Sequence, residues 1–377
     1  MRVAIDGRTI QDHFPGIGRY VYNLTAALAG LDQRPEIVLI HDPSRPSTRF
    51  DLDALGVTLA PLPLTPFHWR SQVAAPRLLR RLRVDLYHAT YFIMPYWAGR
   101  PTVVTMYDAI PFIYPQYLPS AWARLSYRLS AKLASRRAAR ILAISQSDAD
   151  DLARYLGIPQ RRISVTPLAA DRRFAPMVDR DAVARWRHEA GLPERYVLYL
   201  GINKPHKNLE RLVRAWHIVR RRWPAGHGDP PALVLAGRED RRFPEARQTV
   251  QDAGLEGAVR FLGDVSDDWL PWLYNGAELF VFPSLYEGFG LPVLEAMACG
   301  LPVACSNRSS LPEIVGAAAV TFDPMSVEEM AAGLHGLLVD ADERSRRAAL
   351  SLQEATRFSW QRTAIQTMEA YRQVVHS

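Results

Sequence analysis

Pro283-Ser-Leu-Tyr-Glu-Gly-Phe-Gly-Leu-Pro-Val-Leu-Glu295, continuing through Ala-Met-Ala-Cys-Gly300, sets two carboxylates, Glu287 and Glu295, on either side of a glycine turn that opens a helix. The run before it, Glu278-Leu-Phe-Val-Phe-Pro283, is too short for a helix and is bounded by proline, so it reads as a buried strand. Gly288 and Gly290 permit positive φ and close backbone approach, and Pro292, with no N–H and φ fixed near about −65°, suits the first helical position. The helix is expected to begin near Leu291. Its unpaired N–H groups and partial positive charge make that end an anion site, and a diphosphate is a natural occupant. Glu287 on the loop is placed to accept hydrogen bonds from hydroxyls beside the phosphate, and Glu295, about one turn into the helix, to reach a second polyol. A nucleotide sugar offers both polyols, the sugar and the ribose. Either glutamate alone reads equally well as an acid offsetting the helix dipole. The whole block carries the stronger reading.

Outward from this block the chain alternates apolar runs with amphipathic stretches. The first half offers strands at Val3–Ile5, Ile37–Ile40, Leu86–His88, Thr102–Met106 and Ile141–Ile144, with helical stretches at Tyr20–Leu31 and Leu78–Leu82. The second offers Tyr196–Leu200, a helix at Leu209–Arg221, Ala232–Ala236, Val259–Leu262, Leu279–Phe282 and Pro302–Ala304. Such alternation is the signature of stacked βαβ units around parallel sheets. A polar, proline-bearing passage, Pro167–Pro176, separates the halves. The expected architecture is α/β, two facing Rossmann-like domains with a cleft at the carboxyl ends of both sheets.

With 377 residues, 48% apolar and 23% charged, the chain has room for two such cores and none of the marks of disorder. Its two cysteines, Cys299 and Cys305, have neither CxxC spacing nor a histidine cluster, which argues against a disulfide framework or a structural zinc and fits a reducing cytoplasm. Arg2-Val-Ala-Ile-Asp6 enters a strand directly and does not read as a secretion signal, and no apolar run is long enough to span a bilayer. Residues 1–170 carry 21 Lys and Arg against 12 Asp and Glu, so +9 of the net +7 sits on the first half and −2 on the second. The basic half is the one expected to face an anionic surface.

Several stretches together resemble the family-4 retaining glycosyltransferases of the GT-B fold: Gly16-Ile-Gly-Arg-Tyr20, Thr105-Met-Tyr-Asp108, Ile141-Leu-Ala-Ile-Ser145, Leu200-Gly-Ile-Asn-Lys-Pro-His-Lys-Asn208, Phe280 to Gly300, and Ser306-Asn-Arg-Ser-Ser-Leu-Pro-Glu313. The resemblance covers nearly the full length, and the Glu-x7-Glu block is its most specific part. It implies an acceptor-binding domain at 1–170, a nucleotide-sugar-binding domain at 171–355 and a final helix, 356–377, packing back towards the first. Lys207 then falls where the family places a lysine on the donor diphosphate, a task suited to a long flexible ammonium. Glu287 looks like the glutamate on the sugar hydroxyls and Glu295 like the one on the ribose. The Gly290 and Leu291 amides look like the diphosphate cradle, Gly288 and Phe289 are expected to bind the donor with them, Gly18 is expected near the phosphates, and backbone near Phe261–Gly263 near the base. The implied activity is metal-independent transfer of a hexose, best matched by mannose from GDP-mannose, to a lipid-linked saccharide in O-antigen or polysaccharide assembly. Other readings are a nucleotide-sugar hydrolase or epimerase, or a non-catalytic binding protein.

Three details qualify the resemblance. Tyr107 stands where many relatives have a histidine, and a tyrosine with a reference pKa of about 10 is a poor base. Asp108 is therefore the stronger catalytic candidate beside Lys207 and Glu287, with capping of local backbone as its ordinary alternative, and His88 is a weaker one. Gly16–Gly18 fails as a dinucleotide fingerprint because the third glycine position is Val21. Asp148-Ala-Asp150 matches a metal-binding Asp-x-Asp formally, yet it follows the strand Ile141–Ile144 and Ser147, in the first turn of a helix, where acids offset the dipole.

Arg124, Arg128, Lys132, Arg136 and Arg140 recur every four residues beside Leu125, Leu129 and Leu133, after Pro119. This predicts a helix with a basic ridge bordering an apolar one. An anionic membrane surface is the candidate partner, giving a cytoplasmic protein attached peripherally to the inner face; the alternative is a solvated face with the leucines in the core. Phe67-His-Trp69 adds an aromatic loop, and nucleic acid is not supported by any motif.

Overall fold

The computed structural model describes residues 1–11 and 15–376. They divide into two compact units, Met1–Ala169 with the segment from Phe358 onwards, and Ala170–Arg357. Each unit is a parallel sheet flanked by helices.

In the first unit, strands β1 (Arg2–Asp6), β2 (Glu36–His41), β3 (Thr58–Pro61), β4 (Leu86–Ala89), β5 (Thr102–Met106), β6 (Arg140–Ala143) and β7 (Ile163–Val165) lie in the order β3-β2-β1-β4-β5-β6-β7. The helices are α1 (Pro15–Ala29), α2 (Ser71–Leu82), α3 (Ile110–Ile113), α4 (Ala121–Arg137) and α5 (Gln146–Leu156). Every residue of β4 and β5 is buried, as befits a parallel sheet covered on both faces. The helical stretch expected at Leu78–Leu82 is the end of a longer helix that begins at Ser71 and contains Pro76. There the missing N–H costs a ladder bond without ending the helix. Strand order reverses between β1 and β4, which makes their carboxyl ends the switch point of this sheet. Asp6 at the end of β1 is sealed there by Arg8, with Arg8 Nη2 at 2.6 Å from Asp6 Oδ2 and Arg8 Nε donating to Oδ1 at 2.8 Å. The Tyr87 phenol adds a bond to Oδ2 at 2.6 Å. Burial alone would raise the Asp6 carboxyl, but Arg8 beside it holds it below the usual range.

The second unit contains α6 (Arg180–Glu189), β8 (Tyr196–Leu200), α7 (Leu209–Arg221), β9 (Ala232–Ala236), α8 (Glu245–Asp252), β10 (Val259–Gly263), α9 (Leu270–Gly276), β11 (Leu279–Phe282), α10 (Leu291–Ala298), β12 (Val303–Ser306), α11 (Leu311–Val315), β13 (Val320–Phe322), α12 (Val327–Val339) and α13 (Ala341–Ala355). The strand order is β10-β9-β8-β11-β12-β13, all parallel. Trp216 on α7, Phe280 and Phe282 on β11 and Tyr196 on β8 are wholly buried in its core. The reversal here falls between β8 and β11, so the loops that leave those two strands share the switch point.

The chain then returns to the first unit as α14 (Trp360–Val375), which starts at Ser359, whose Oγ accepts the Arg362 N–H at 3.2 Å. Its Tyr371 is fully buried and its hydroxyl meets His88 Nδ1 at 2.6 Å, while His88 Nε2 meets Thr105 Oγ1 at 2.8 Å. Thr105 Oγ1 in turn lies 2.9 Å from the Tyr20 hydroxyl. His88 is thus occupied at both ring nitrogens.

Candidate active site

The site begins where β8 and β11 end. After β8 the chain makes one 3₁₀ turn, Pro205–Lys207, and Asn208 follows at φ 62°, a left-handed conformation that asparagine tolerates. The Asn208 side chain, 3% exposed, donates from Nδ2 to the Pro283 carbonyl at 3.1 Å and to the Pro324 carbonyl at 2.7 Å. A backbone bond from Leu285 N–H to the His206 carbonyl at 2.7 Å closes the same seam. Two loops far apart in sequence are thereby held together, and Lys207 is delivered to Glu287: Lys207 Nζ lies 2.5 Å from Glu287 Oε1. The ammonium also sits 5.2 Å above the centroid of the Phe282 ring, a cation–π contact in a mostly enclosed place.

The loop bearing Glu287 is fixed from β12's side. Ser309 Oγ accepts the Glu287 N–H at 3.0 Å and donates to the Glu287 carbonyl, and Ser310 Oγ lies 3.0 Å from that carbonyl and 2.7 Å from the Phe289 carbonyl. Ser309 holds φ 59° to do this, one of the strained backbone positions that gather at functional loops. The stretch Ser306–Glu313 carries the family resemblance but gives no hint of this role, because a serine pair before a helix reads as a cap.

Gly290 is the N-cap of α10, at φ 103° and ψ 42°, and Pro292 follows in the first turn. Gly288, Phe289, Gly290 and Leu291 therefore form the turn that leads into the positive end of that helix. Glu295 lies in the second turn, only 2% exposed, and accepts a hydrogen bond from the Tyr274 phenol at 3.0 Å. Lys207, Glu287, the glycine turn and Glu295 thus all belong to the second unit and cluster around its switch point. At the end of β10, Gly263 takes φ 69° and its carbonyl accepts the Gly237 N–H at 2.8 Å.

Asp108 and Gly18 belong to the first unit. The Asp108 carboxylate accepts the Ile110 N–H at 2.9 Å at the start of α3. The Tyr107 phenol donates to the Thr90 carbonyl at 2.7 Å, and burial pushes it well above its ordinary pKa, so it stays neutral. Gly18 lies inside α1 and not on a loop before it. A Cβ there would come within 3.3 Å of Ile10 Cα and the Thr9 carbonyl, so this close helix–loop approach accounts for the glycine without any ligand. Within α5, the Asp148 N–H is capped by Ser145 Oγ at 2.9 Å and Asp148 Oδ2 accepts the Ile144 N–H at 3.1 Å, while Asp150 accepts from Gln146 and Gln160. Among the described residues, no group of three or more His, Cys, Asp or Glu side chains is arranged to hold a metal ion.

Two buried histidines make stability pH-dependent. Burial lowers His88 to about 3, and burial together with the charges of Lys207 and Lys204 lowers His206 to about 3. Both are neutral when folded, whereas the unfolded chain takes up a proton at each below a reference value of about 6.5. Their contribution is intact above about 6.5 and is lost as pH falls from there towards about 3, at a slope of at most about 1.4 kcal/mol per pH unit for each histidine. Urea midpoints between pH 7 and 4.5 should show a shallower fall in His206→Asn than in the unsubstituted chain; equal slopes would contradict this.

The comparisons with known proteins agree with this geometry. The sequence model of the Glycosyltransferase Family 4 matches residues 15–174, and that of the Glycosyl transferases group 1 matches residues 182–351. The O-antigen chain mannosyltransferase B of Escherichia coli is 33% identical over 99% of this chain and 100% of its own length. The MMP alpha-(1->4)-mannosyltransferase of Mycolicibacterium hassiacum is 27% identical over 100% of this chain and 98% of its own. Among solved structures, HepE of Anabaena in complex with UDP-glucose superposes with a TM-score of 0.76 at 20% identity, covering 99% of this chain and 100% of that one. Two parallel Rossmann-like sheets, the lysine and glutamates at the second sheet's switch point, and a full-length relative at this identity lead to one conclusion: the chain belongs to the family-4 glycosyltransferases of the GT-B fold.

Proposed function

We propose that the enzyme transfers a mannosyl residue from GDP-mannose, with retention at the anomeric carbon, to a lipid-linked saccharide during assembly of a cell-surface polysaccharide. The observation that carries the donor site is the Lys207–Glu287 pair beside the glycine-capped start of α10. The sugar is suggested by the names of the full-length relatives, an O-antigen mannosyltransferase and an α-(1→4)-mannosyltransferase. In this reading the diphosphate takes the amides of Gly290 and Leu291 and the charge of Lys207. Glu287 accepts hydrogen bonds from the sugar hydroxyls, and Glu295, oriented by Tyr274, meets the ribose. The anomeric carbon–oxygen bond to the diphosphate breaks and its electron pair stays with the phosphate oxygen. The acceptor hydroxyl bonds to that carbon on the same face, and its proton passes to the phosphate oxygen just released. Lys207 and the helix end stabilise the developing negative charge, the kind of fixed electrostatics that supplies most of such an acceleration. No protein base and no metal ion enters the scheme, and Asp108 is proposed as an acceptor-side acid of the first unit. The basic first unit is proposed to work at the anionic inner face of the cytoplasmic membrane.

Thermal shift against GDP-, UDP- and dTDP-sugars tests the donor. A ligand at a hundred times its Kd adds about 2.7 kcal/mol, which should appear as a rise of several degrees for GDP-mannose. A larger rise with UDP-glucose would overturn the choice of donor. Sugar release that proceeds equally well without acceptor would replace transfer by hydrolysis.

A further inference from the structure

Helix α4 faces the wrong way for an ordinary surface helix. Its inner side is made of small residues, Ala131, Ala134 and Ser135, with Tyr127 reaching inward to the Phe92 and Phe112 rings at centroid distances of 4.8 and 5.3 Å. Its large apolar residues point outward: Trp122 is 79% exposed, Leu129 59% and Leu125 46%. At about 3.6 residues per turn these three share one stripe; Arg128 and Lys132, three residues after Leu125 and Leu129, border it, and Arg124 lies one turn before Arg128 on the same exposed cationic row. The 17 residues of α4 include no Asp or Glu. At its carboxyl end Arg137 lies 4.7 Å over the ring of Trp97, which projects from the β4–β5 loop and is 63% exposed.

Single exposed apolar residues are common, but a contiguous stripe marks a contact surface. A row of like charges four residues apart, with no acid on the helix to balance it, repels itself in water. An anionic bilayer relieves both costs at once, since apolar side chains enter the headgroup–acyl boundary while the cations meet the headgroups. Among the described residues no helix is long and apolar enough to cross a membrane, so the fitting mode is lying in the interface. We propose that α4 is an interfacial helix: Trp122, Leu125 and Leu129 insert into an anionic lipid surface, Arg124, Arg128 and Lys132 bind its headgroups, and Trp97 with Arg137 extends the contact. This rests on the membrane-face reading given above and specifies its residues and depth.

Sedimentation of the full chain with sucrose-loaded vesicles tests it, without donor or acceptor. Vesicles of phosphatidylglycerol and phosphatidylethanolamine should bind at least about tenfold better than phosphatidylcholine at low salt. Trp122→Ser with Leu129→Ser, both at exposed positions, should lower partitioning about tenfold and abolish the part that survives high salt. Arg124→Gln with Arg128→Gln should remove most of the anionic preference. Equal binding to both lipids, binding to neither, or an apolar double variant that sediments like the parent would overturn the proposal. So would self-association abolished by the apolar double variant, which would give the stripe to a second protein chain. Donor-induced thermal shifts should be unchanged in all these variants, because the donor residues lie in the other unit; a missing donor response with vesicle binding intact counts against the proposed function alone.

Discussion

Glu287→Gln is expected to lower turnover by about a hundred- to a thousandfold while the chain stays folded, and Lys207→Ala by at least as much. The amide of glutamine has nearly the shape of the carboxylate and keeps an oxygen for the Lys207 ammonium, which lies 2.5 Å from Glu287 Oε1. What disappears is the negative charge that accepts hydroxyl protons and balances the lysine. Lys207→Ala adds a second defect. Its side chain is 16% exposed and that of Glu287 10%, so removing the ammonium strands a largely enclosed carboxylate, at a stability cost on the order of 3 kcal/mol. The two variants therefore separate chemistry from folding: kcat should collapse in both, and the melting temperature should fall clearly only in Lys207→Ala. Turnover within about threefold of the parent in either variant would remove these residues from the reaction.

Gly290→Ala should damage fold and donor binding together. The residue caps α10 at φ 103°, a region that costs other residues about 1–3 kcal/mol. An added Cβ would also come within 2.6 Å of Leu311 Cδ2, and Leu311 is itself fully buried, so it has little room to yield. A loss of about 2–3 kcal/mol corresponds to roughly 5–10 °C in melting temperature for a unit of this size. Because the strain falls on the turn whose amides are proposed to cradle the diphosphate, the donor-induced shift should drop about tenfold in apparent affinity. An alanine variant that melts normally and responds fully to donor would show that the turn's geometry is not what holds the ligand.

The strand, glycine turn and helix around Glu287 were readable because every signal there is local: a short apolar run, two glycines, a proline in the first turn. The pairing of Lys207 with Glu287 was not local. It spans 80 residues and became visible through the resemblance, not through spacing. The Asn208 latch and the Ser309–Ser310 clasp left no trace, since their side chains bond to backbone carbonyls that only the folded chain brings near. Likewise the near-complete burial of Glu295 beside the Tyr274 phenol depends on where the fold places a side chain 21 residues away. On α4, four-residue spacing established which side chains share a stripe but not the direction in which it faces. Inside and outside were decided by Ala131 and Ala134, whose small size lets the helix lie close to the core. Gly16 and Gly18 fall before the helix expected from Tyr20, whereas α1 already runs from Pro15 and uses Gly18 for a close approach to the Thr9–Ile10 backbone.

The bond between His88 and Tyr371 joins residues 283 positions apart, on either side of the whole second unit. On a ribosome the second sheet can close from one continuous stretch of chain, but the earlier one must wait with an apolar flank bare until α14 emerges. The half synthesised first is thus finished second, and it carries that bare flank while the entire intervening unit is made.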